Sequence, residues 1–368
     1  MTLDDIRRRI NMIDFEILKL LNSRMEFALR TRRFKREVDD PRREHEVIEY
    51  IEKHSRGLIE PEFCKQLFQQ IIAESKRLQQ TEIALMAFQG EHGAFSEVAA
   101  RRFNPELLYI SCAEYGEVFR GVEARLFHFG IVPVESTLGG TFTEVNEFLI
   151  RADLKIVGEV RLPVHYHLLT LPETDPTEIR VVYSHRQTLS HCRRFIQERR
   201  LETRLYYDMA AAAKMLVQER PEGSAVIASE FCANFYNLQI VASNIEDVPG
   251  HVTRYVVVAR PETAPPKDQG NKCSIVFVAE HRAGALFRIL EEFADRGLNL
   301  TRIESMPNRL DPLNYIFFLD FYGSDQDPEV VEVLERVRQK TSMFRFLGCY
   351  YSPDGEAASS TTESDPSE

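Results

Sequence analysis

Three domains of different class are expected along this chain: an all-α N-terminal domain, a two-lobed α/β domain and an α+β ferredoxin-like domain. Three observations carry this multidomain reading. Residues 2–40 contain no Gly or Pro and repeat Ile6, Ile10, Ile13, Ile17, Leu20, Leu21 and Ala28 at three- and four-residue hops, the period of an amphipathic helix. Residues 82–260 alternate short apolar runs, Gly- or hydroxyl-bearing turns and helix-like stretches, as an α/β layer fold does. Residues 272–350 run strand, helix, strand, strand, helix, strand, which is the ferredoxin-like order.

The first helix is the longest single element. At about 1.5 Å per residue it would span roughly 50–55 Å, so its apolar stripe is expected to lie against a partner chain. Two cations interrupt the stripe. Arg24 lies five full turns beyond Ile6 and points the same way, and Lys35 returns to within roughly 20° of Arg24. Cations facing a core must be paired or must face an anion; the plainer alternative is that they snorkel to solvent. Asp40-Pro41 opens a second helix, with an acidic cap, Pro in the first turn, Arg43 and Glu44 following, and Val47, Ile48 and Ile51 as its apolar side. Pro61 opens a third, whose stripe Cys64, Leu67, Phe68, Ile71 and Ile72 is continued by Ser75 and Gln79. One inward polar residue is ordinarily a satisfied core group, whereas several converging ones suggest a pocket for a small polyanion.

In the middle region strands are expected at 83–88, 127–134, 179–183, 225–228 and 255–259, with helices at 97–103, 142–150 and 188–199. Parallel strands are expected, in two lobes divided near residues 154–171. The loops Gly90-x-x-Gly93-x-x-Ser96, Glu135 to Thr141 and Ser184-His185 carry glycines and hydroxyls between strand and helix, where anions are cradled and where plain turns also occur. Gly90-x-x-Gly93 is not a dinucleotide fingerprint. In the last domain, strands are expected at 273–279, 298–305, 315–322 and 343–350, and helices at 285–296 and 329–341. The boundaries follow composition: 1–80, 82–260, a Pro-rich linker at 261–271, 272–351, and a disordered Ser/Thr/Asp/Glu/Pro tail at 352–368.

The 368 residues carry a net charge of −11, so no electrostatic footprint for nucleic acid or an anionic membrane is present. The first ten residues are acidic and Arg-rich, unlike a signal peptide, and no apolar run reaches spanning length. Six scattered cysteines without a C-x-x-C pair suit reduced thiols better than disulfides or zinc. A cytoplasmic location is expected.

The order Arg7, Arg24, Lys35, Asp40-x-x-Arg43-Glu44, Ser75-x-x-x-Gln79 resembles the all-helical chorismate mutases, with a tight Lys35-to-Asp40 spacing. The resemblance implies that Arg7 and Arg24 hold substrate carboxylates with Arg43 assisting. Lys35 and Gln79 would reach the ether oxygen and Glu44 the ring hydroxyl, with Asp40 and Ser75 completing the shell. Such a rearrangement needs positioning and charge stabilisation rather than a nucleophile or metal. Arg7 lies about 100° off the Arg24 face, so it would come from a partner subunit.

"FQGEHGAFSEVAA", "GIVPVESTLGG", "VYSHRQTLSHC" and "HVTRYVVVAR" resemble prephenate dehydratases across residues 82–260. Thr253 of Thr253-Arg254-Tyr255 would serve departure of the ring hydroxyl, a neutral group needing polarisation by neighbours. Arg254 would dock a carboxylate, and Ser96, Glu135 and Ser184 would contact substrate. Thr253 is also an ordinary strand residue. Ser136 stands where that family often has Asn, and His191 where Gln is common.

"AGAL", "NLTRIESMP" and "LGCY" resemble the ACT domain that senses phenylalanine. The resemblance assigns the effector to Gly284, Ala285, Leu286, Asn299, Leu300, Glu304 and Ser305, with Met306 where Arg is common. A purely dimerising domain is the alternative, because fold does not fix function.

Together these are the features of the bifunctional P-protein family. Membership implies conversion of chorismate through prephenate to phenylpyruvate with phenylalanine as effector. It also implies no cofactor or metal, no nucleic-acid or membrane partner, and a homodimer or dimer of dimers. The alternatives are a dehydratase whose helical domain is only a dimerisation arm, and a non-catalytic amino-acid sensor.

Overall fold

The computed structural model describes residues 2–32, 38–55, 57–263, 270–308 and 314–354. The chain divides into two compact units, Met1–Ala84 and Leu85–Glu368. The first unit holds helices α1 (Leu3–Thr31), α2 (Pro41–His54) and α3 (Pro61–Gln80). Helix α1 stops short of the expected Asp40. Asp40 leaves helical geometry (φ −141°) so that its carboxylate can accept the Arg43 N–H at 3.1 Å and cap α2, a role a helix-interior residue cannot play. Helix α3 packs against α1 and α2. The only fully buried apolar residues described in this unit are Leu29 and Ile71, while Ile6, Ile10, Ile13, Ile17 and Leu20 lie exposed.

The second unit begins with β1 (Leu85–Gln89), α4 (Phe95–Phe103), β2 (Leu108–Cys112), α5 (Tyr115–Glu123), β3 (Phe129–Ser136), β4 (Gly140–Thr141), α6 (Thr143–Arg151) and β5 (Lys155–Pro163). The chain crosses to a second lobe with β6 (His167–Thr170), β7 (Val181–Ser184), α7 (Arg186–His191), α8 (Arg193–Glu198), β8 (Glu202–Leu205), α9 (Met209–Glu219), β9 (Ser224–Ala228), α10 (Glu230–Tyr236) and β10 (Gln239–Ala242). It returns as β11 (Val252–Ala259). The lobe sheets are ordered β2-β1-β3-β11-β5 and β10-β6-β9-β7-β8. Both are mixed rather than purely parallel. Strand β11 re-enters from the far lobe and runs antiparallel to β3 and β5, and β6 runs antiparallel to β9 and β10. The chain passes between the lobes twice, and the two crossings are tied where the Val164 N–H donates to the His251 carbonyl at 2.8 Å.

The last domain comprises β12 (Lys272–Ala279), α11 (Ala285–Ala294), β13 (Leu300–Pro307), β14 (Tyr315–Tyr322), α12 (Pro328–Gln339) and β15 (Met343–Tyr350). Its antiparallel sheet is ordered β13-β14-β12-β15, the ferredoxin-like arrangement. One sheet face buries Ile275, Phe277, Leu319 and Phe321 under the two helices. The other lies on the first lobe, where β15 meets β5. A Cβ at Gly348 would sit 2.2 Å from the Ile156 carbonyl oxygen, so only glycine allows this approach. Lys155 Nζ donates to the Phe346 carbonyl at 2.5 Å, and Arg345 donates to the carbonyls of Ile150 and Ala152. Residues 352–354, expected to belong to the tail, are part of the fold. Ser352 is fully buried, bonds Asn271 through its backbone, and reaches Glu159 with its hydroxyl, while Asp354 pairs with Arg161 at 2.7 Å. Residues 355–368, and 264–269 of the linker, lie outside the described residues.

Candidate active sites

In the helical unit, Arg24 on α1 meets the buried polar end of α3. Its Nη1 lies 2.5 Å from Ser75 Oγ and 3.5 Å from the Ile71 carbonyl. Ser75 Oγ also donates to that carbonyl at 2.9 Å. Gln79 donates to the Ser75 carbonyl, and its Oε1 is buried with no partner among the described residues. Arg24 is thus half-buried among neutral oxygens, and burial lowers its pKa. Among the described residues no carboxylate pairs with Arg24, and a cation so placed calls for an anion.

The remaining helical-domain residues lie elsewhere. Glu44 pairs with Lys76 at 2.6 Å beside a cavity of about 490 Å³ between α2 and α3. Lys76 adjoins Ser75 in sequence but sits about 100° around the helix. Asp40 is occupied as the α2 cap. Arg43 is exposed and pairs with Glu46 at 3.2 Å. Arg7 is exposed, and seventeen helical residues place it about 25 Å along α1 from Arg24. Lys35 falls outside the described residues.

The cleft between the α/β lobes encloses about 270 Å³. Lobe one supplies Ser96, Tyr115, Ser136, Thr253 and Tyr255; lobe two supplies His185, Gln187, His191, Tyr207 and Asp208; the crossings supply Tyr166 and His251. Helices α4 and α9 begin at the cavity, presenting their N-terminal ends. Asp208 caps α9 by accepting the Ala211 N–H at 2.9 Å, and burial raises its carboxyl above the usual range. Burial also raises the phenols of Tyr115, Tyr166 and Tyr255, with Ser96 hydrogen-bonded to Tyr255. His251 Nε2 lies 2.7 Å from Ser136 Oγ. No group of three or more His, Cys, Asp or Glu among the described residues is arranged to hold a metal.

Three expected substrate contacts do not reach this cleft. Side chains alternate along a strand, so Arg254 points away from Thr253's face, toward the C-terminal domain. There its Nε lies 2.6 Å from Glu159, its Nη1 2.6 Å from Asp320 and 3.4 Å from Glu135, and its Nη2 2.8 Å from Tyr350 Oη. Lys272 joins Glu159 at 3.0 Å. Glu135 is Arg254's cross-strand partner and shares its direction. Ser184 is fully buried, donating to the Ile227 carbonyl at 2.7 Å. Burial would raise the Glu159 carboxyl, but Arg254 and Lys272 hold it below its ordinary value; Arg254 and Arg302 do the same for Asp320.

In the C-terminal domain Gly284, at φ +77°, caps α11. Ala285 and Leu286 line a cavity of about 390 Å³ with His281, Arg282, Tyr315 and Phe317. Ser305 is paired with Phe317, one of the lining residues, and Glu304 is next to it. Leu300 pairs with Phe321 at the other end of β13, about 16 Å away at 3.3 Å per residue. Asn299 precedes it, so these two do not meet the cavity within one chain. Met306 is buried.

Three family models match in the same order as these sites: chorismate mutase type II over residues 6–80, prephenate dehydratase over 86–263, and the ACT domain over 274–339. A bifunctional chorismate mutase/prephenate dehydratase of Pseudomonas aeruginosa is 32% identical over 357 residues, 94% of this chain and 96% of its own. The chain belongs to that family. The crystal structure of a prephenate dehydratase in complex with L-Phe from Arthrobacter aurescens superposes with a TM-score of 0.68 at 26% identity, covering 76% of this chain and 97% of that one. GqqA, described as a novel type of quorum quenching acylase, also superposes at 0.68 with 28% identity, over 73% of this chain and 99% of its own. The shared region in these two structures is a fold, and a fold hosts more than one chemistry.

Ser136 and His191, the two positions expected to depart from the prephenate dehydratase pattern, both lie on the cleft wall. Sequence reasoning missed Tyr166, Gln187, Asp208 and His251. The first three come from separate segments that meet only in the folded domain. His251 had a signal: it precedes Thr253 by two residues and therefore shares its strand face.

Proposed function

We propose that this chain rearranges chorismate to prephenate in its helical domain and converts prephenate to phenylpyruvate in the two-lobed cleft, with phenylalanine acting on the ACT domain. One observation carries the reading: the relative named for both activities matches 94% of the chain, so the helical and cleft domains occur together as they do there. In the helical domain Arg24 supplies an under-neutralised cation beside Ser75 and Gln79. A dicarboxylate seated there satisfies Arg24, and the ether oxygen that gains charge in the transition state lies within the same polar cluster.

The cleft works differently. None of the residues lining it is Arg or Lys. Carboxylates are therefore held by helix N-termini, hydroxyls and imidazoles, while Thr253 stands at the leaving hydroxyl. Loss of carbon dioxide and water aromatises the ring, so the site needs orientation and a proton more than a strong base.

The working form is a homodimer built on α1. A domain whose described residues bury only Leu29 and Ile71 among the apolar side chains has little core of its own, and the row from Ile6 to Leu20 offers the missing surface. The partner's copy of α1 would also bring an Arg7 to the Arg24 cluster.

The decisive assay follows chorismate loss and phenylpyruvate formation by the full chain, with and without phenylalanine. Both conversions are expected, the second slowed by phenylalanine. Prephenate consumption without chorismate loss would reduce the helical domain to a dimerisation arm; turnover of neither would leave a sensor. Ile13→Asp with Ile17→Asp should sediment as a monomer and lose chorismate turnover. A double variant that stays dimeric would refute the α1 interface.

A further inference from the structure

Two hydroxyls and an imidazole converge on one patch of the cleft wall. Thr253 and Ser136 are cross-strand partners where β11 begins and β3 ends, a pairing that brings Cβ atoms to about 5 Å. Ser136 Oγ lies 2.7 Å from His251 Nε2 and accepts the Gly139 N–H at 3.2 Å. All three side chains are buried, and all three line the cavity. His251 Nδ1 is buried with no hydrogen-bond partner among the described residues. A merely structural histidine has its second nitrogen satisfied. Here nothing pins the proton to one nitrogen, which suits a group that passes protons.

We propose that His251, acting through Ser136 and Thr253, supplies the proton for the hydroxyl that leaves prephenate; this rests on the dehydratase reading above. The bond from the ring to its carboxylate breaks, and the electron pair enters the ring as carbon dioxide departs. The bond from the ring to the hydroxyl oxygen breaks with its pair on oxygen. That oxygen takes one proton from Thr253, which is resupplied by Ser136 and it by the imidazolium. Water leaves, the ring is aromatic, and His251 ends neutral, to be reprotonated from solvent.

The surroundings determine the pH response. His251 faces the His191 ring at 5.3 Å and Tyr166 at 6.2 Å. Glu246 and Asp247 lie on the return crossing, and His185 and Asp208 line the cavity from the second lobe. Burial, then His191, lower the His251 pKa, and Glu246 opposes them. The donor form therefore grows as pH falls below the ordinary imidazole value of about 6.5.

The test is the pH profile of kcat and KM for prephenate with the full chain. Wild type should gain rate toward acid with an inflection below about 6.5. His251→Asn should lose the inflection and about a hundredfold in kcat near its acid optimum, with KM within about threefold and chorismate turnover intact. Ser136→Ala should lose the same inflection with His251 in place, and His191→Gln should move it upward. An unchanged inflection in His251→Asn, or a loss confined to KM, overturns the proposal. If thermal melting shows that His251→Asn is misfolded, Ser136→Ala decides on the same criteria. A wild type that leaves prephenate untouched would instead refute the dehydratase reading itself.

Discussion

Thr253 and Arg254 are chain neighbours that serve opposite sides of one strand. Thr253 faces the cleft, and Thr253→Val should abolish phenylpyruvate formation by about a hundredfold or more while leaving the urea midpoint unchanged. Arg254 neutralises Glu159 and Asp320 in a buried interface. Arg254→Gln should cost about 3–5 kcal/mol in urea unfolding, because buried Asp320 loses its ion-pair partner and buried Glu159 is left with Lys272 alone. If it instead alters only KM for prephenate, Arg254 reaches substrate after all. In the helical unit, Arg24→Ala should lower chorismate turnover at least about tenfold, the worth of a charged hydrogen bond, with prephenate conversion untouched. The residue types at these positions were legible in the sequence. That Thr253 and Arg254 face opposite ways follows from the period of two, but which of them meets the cleft does not, and the partners of Arg254 include residues of a domain that begins beyond a linker.

At the scale of elements, two close approaches organise the second unit. Strand β11 returns from the far lobe into the middle of the first sheet, carrying Thr253 to the hinge between the lobes. Strand β15 lies on β5 so closely that Gly348 has no room for a side chain. Gly348→Ala should cost at least about 1–3 kcal/mol of stability, as overpacking does, and should speed hydrogen exchange in β15 and β5 together. Exchange that rises in β15 alone would show that the two strands are not coupled. Most helices were readable from periodicity and from Asp40 and Pro61, whereas α5, α9 and α10 were not expected. Strand direction was not, because a returning strand carries the same apolar run whichever way it enters a sheet.

Across the whole molecule, the buried charges between the dehydratase lobe and the ACT domain tie stability to pH. Glu159 and Asp320 titrate below their ordinary values in the folded chain. Their contribution is therefore complete above the unfolded carboxyl value near 4 and is lost as pH falls below it toward the folded values. Melting temperature should hold down to about pH 5 and fall steeply below about pH 4; a flat curve through that range would show that the network contributes nothing. The sequence by itself determined the three fold classes, most helices, and the candidacy of Arg24, Ser75 and Gln79 in the helical cluster and of Ser96 and Thr253 in the cleft. These follow from local periodicity, capping and residue chemistry. Only the tertiary structure decided that Arg254, Glu135 and Ser184 turn from the cleft, that Ser352 docks beneath Glu159, and that His251 meets Ser136. Each of these depends on which face of a strand looks toward which distant segment, and that is set by long-range packing rather than by neighbours in the chain.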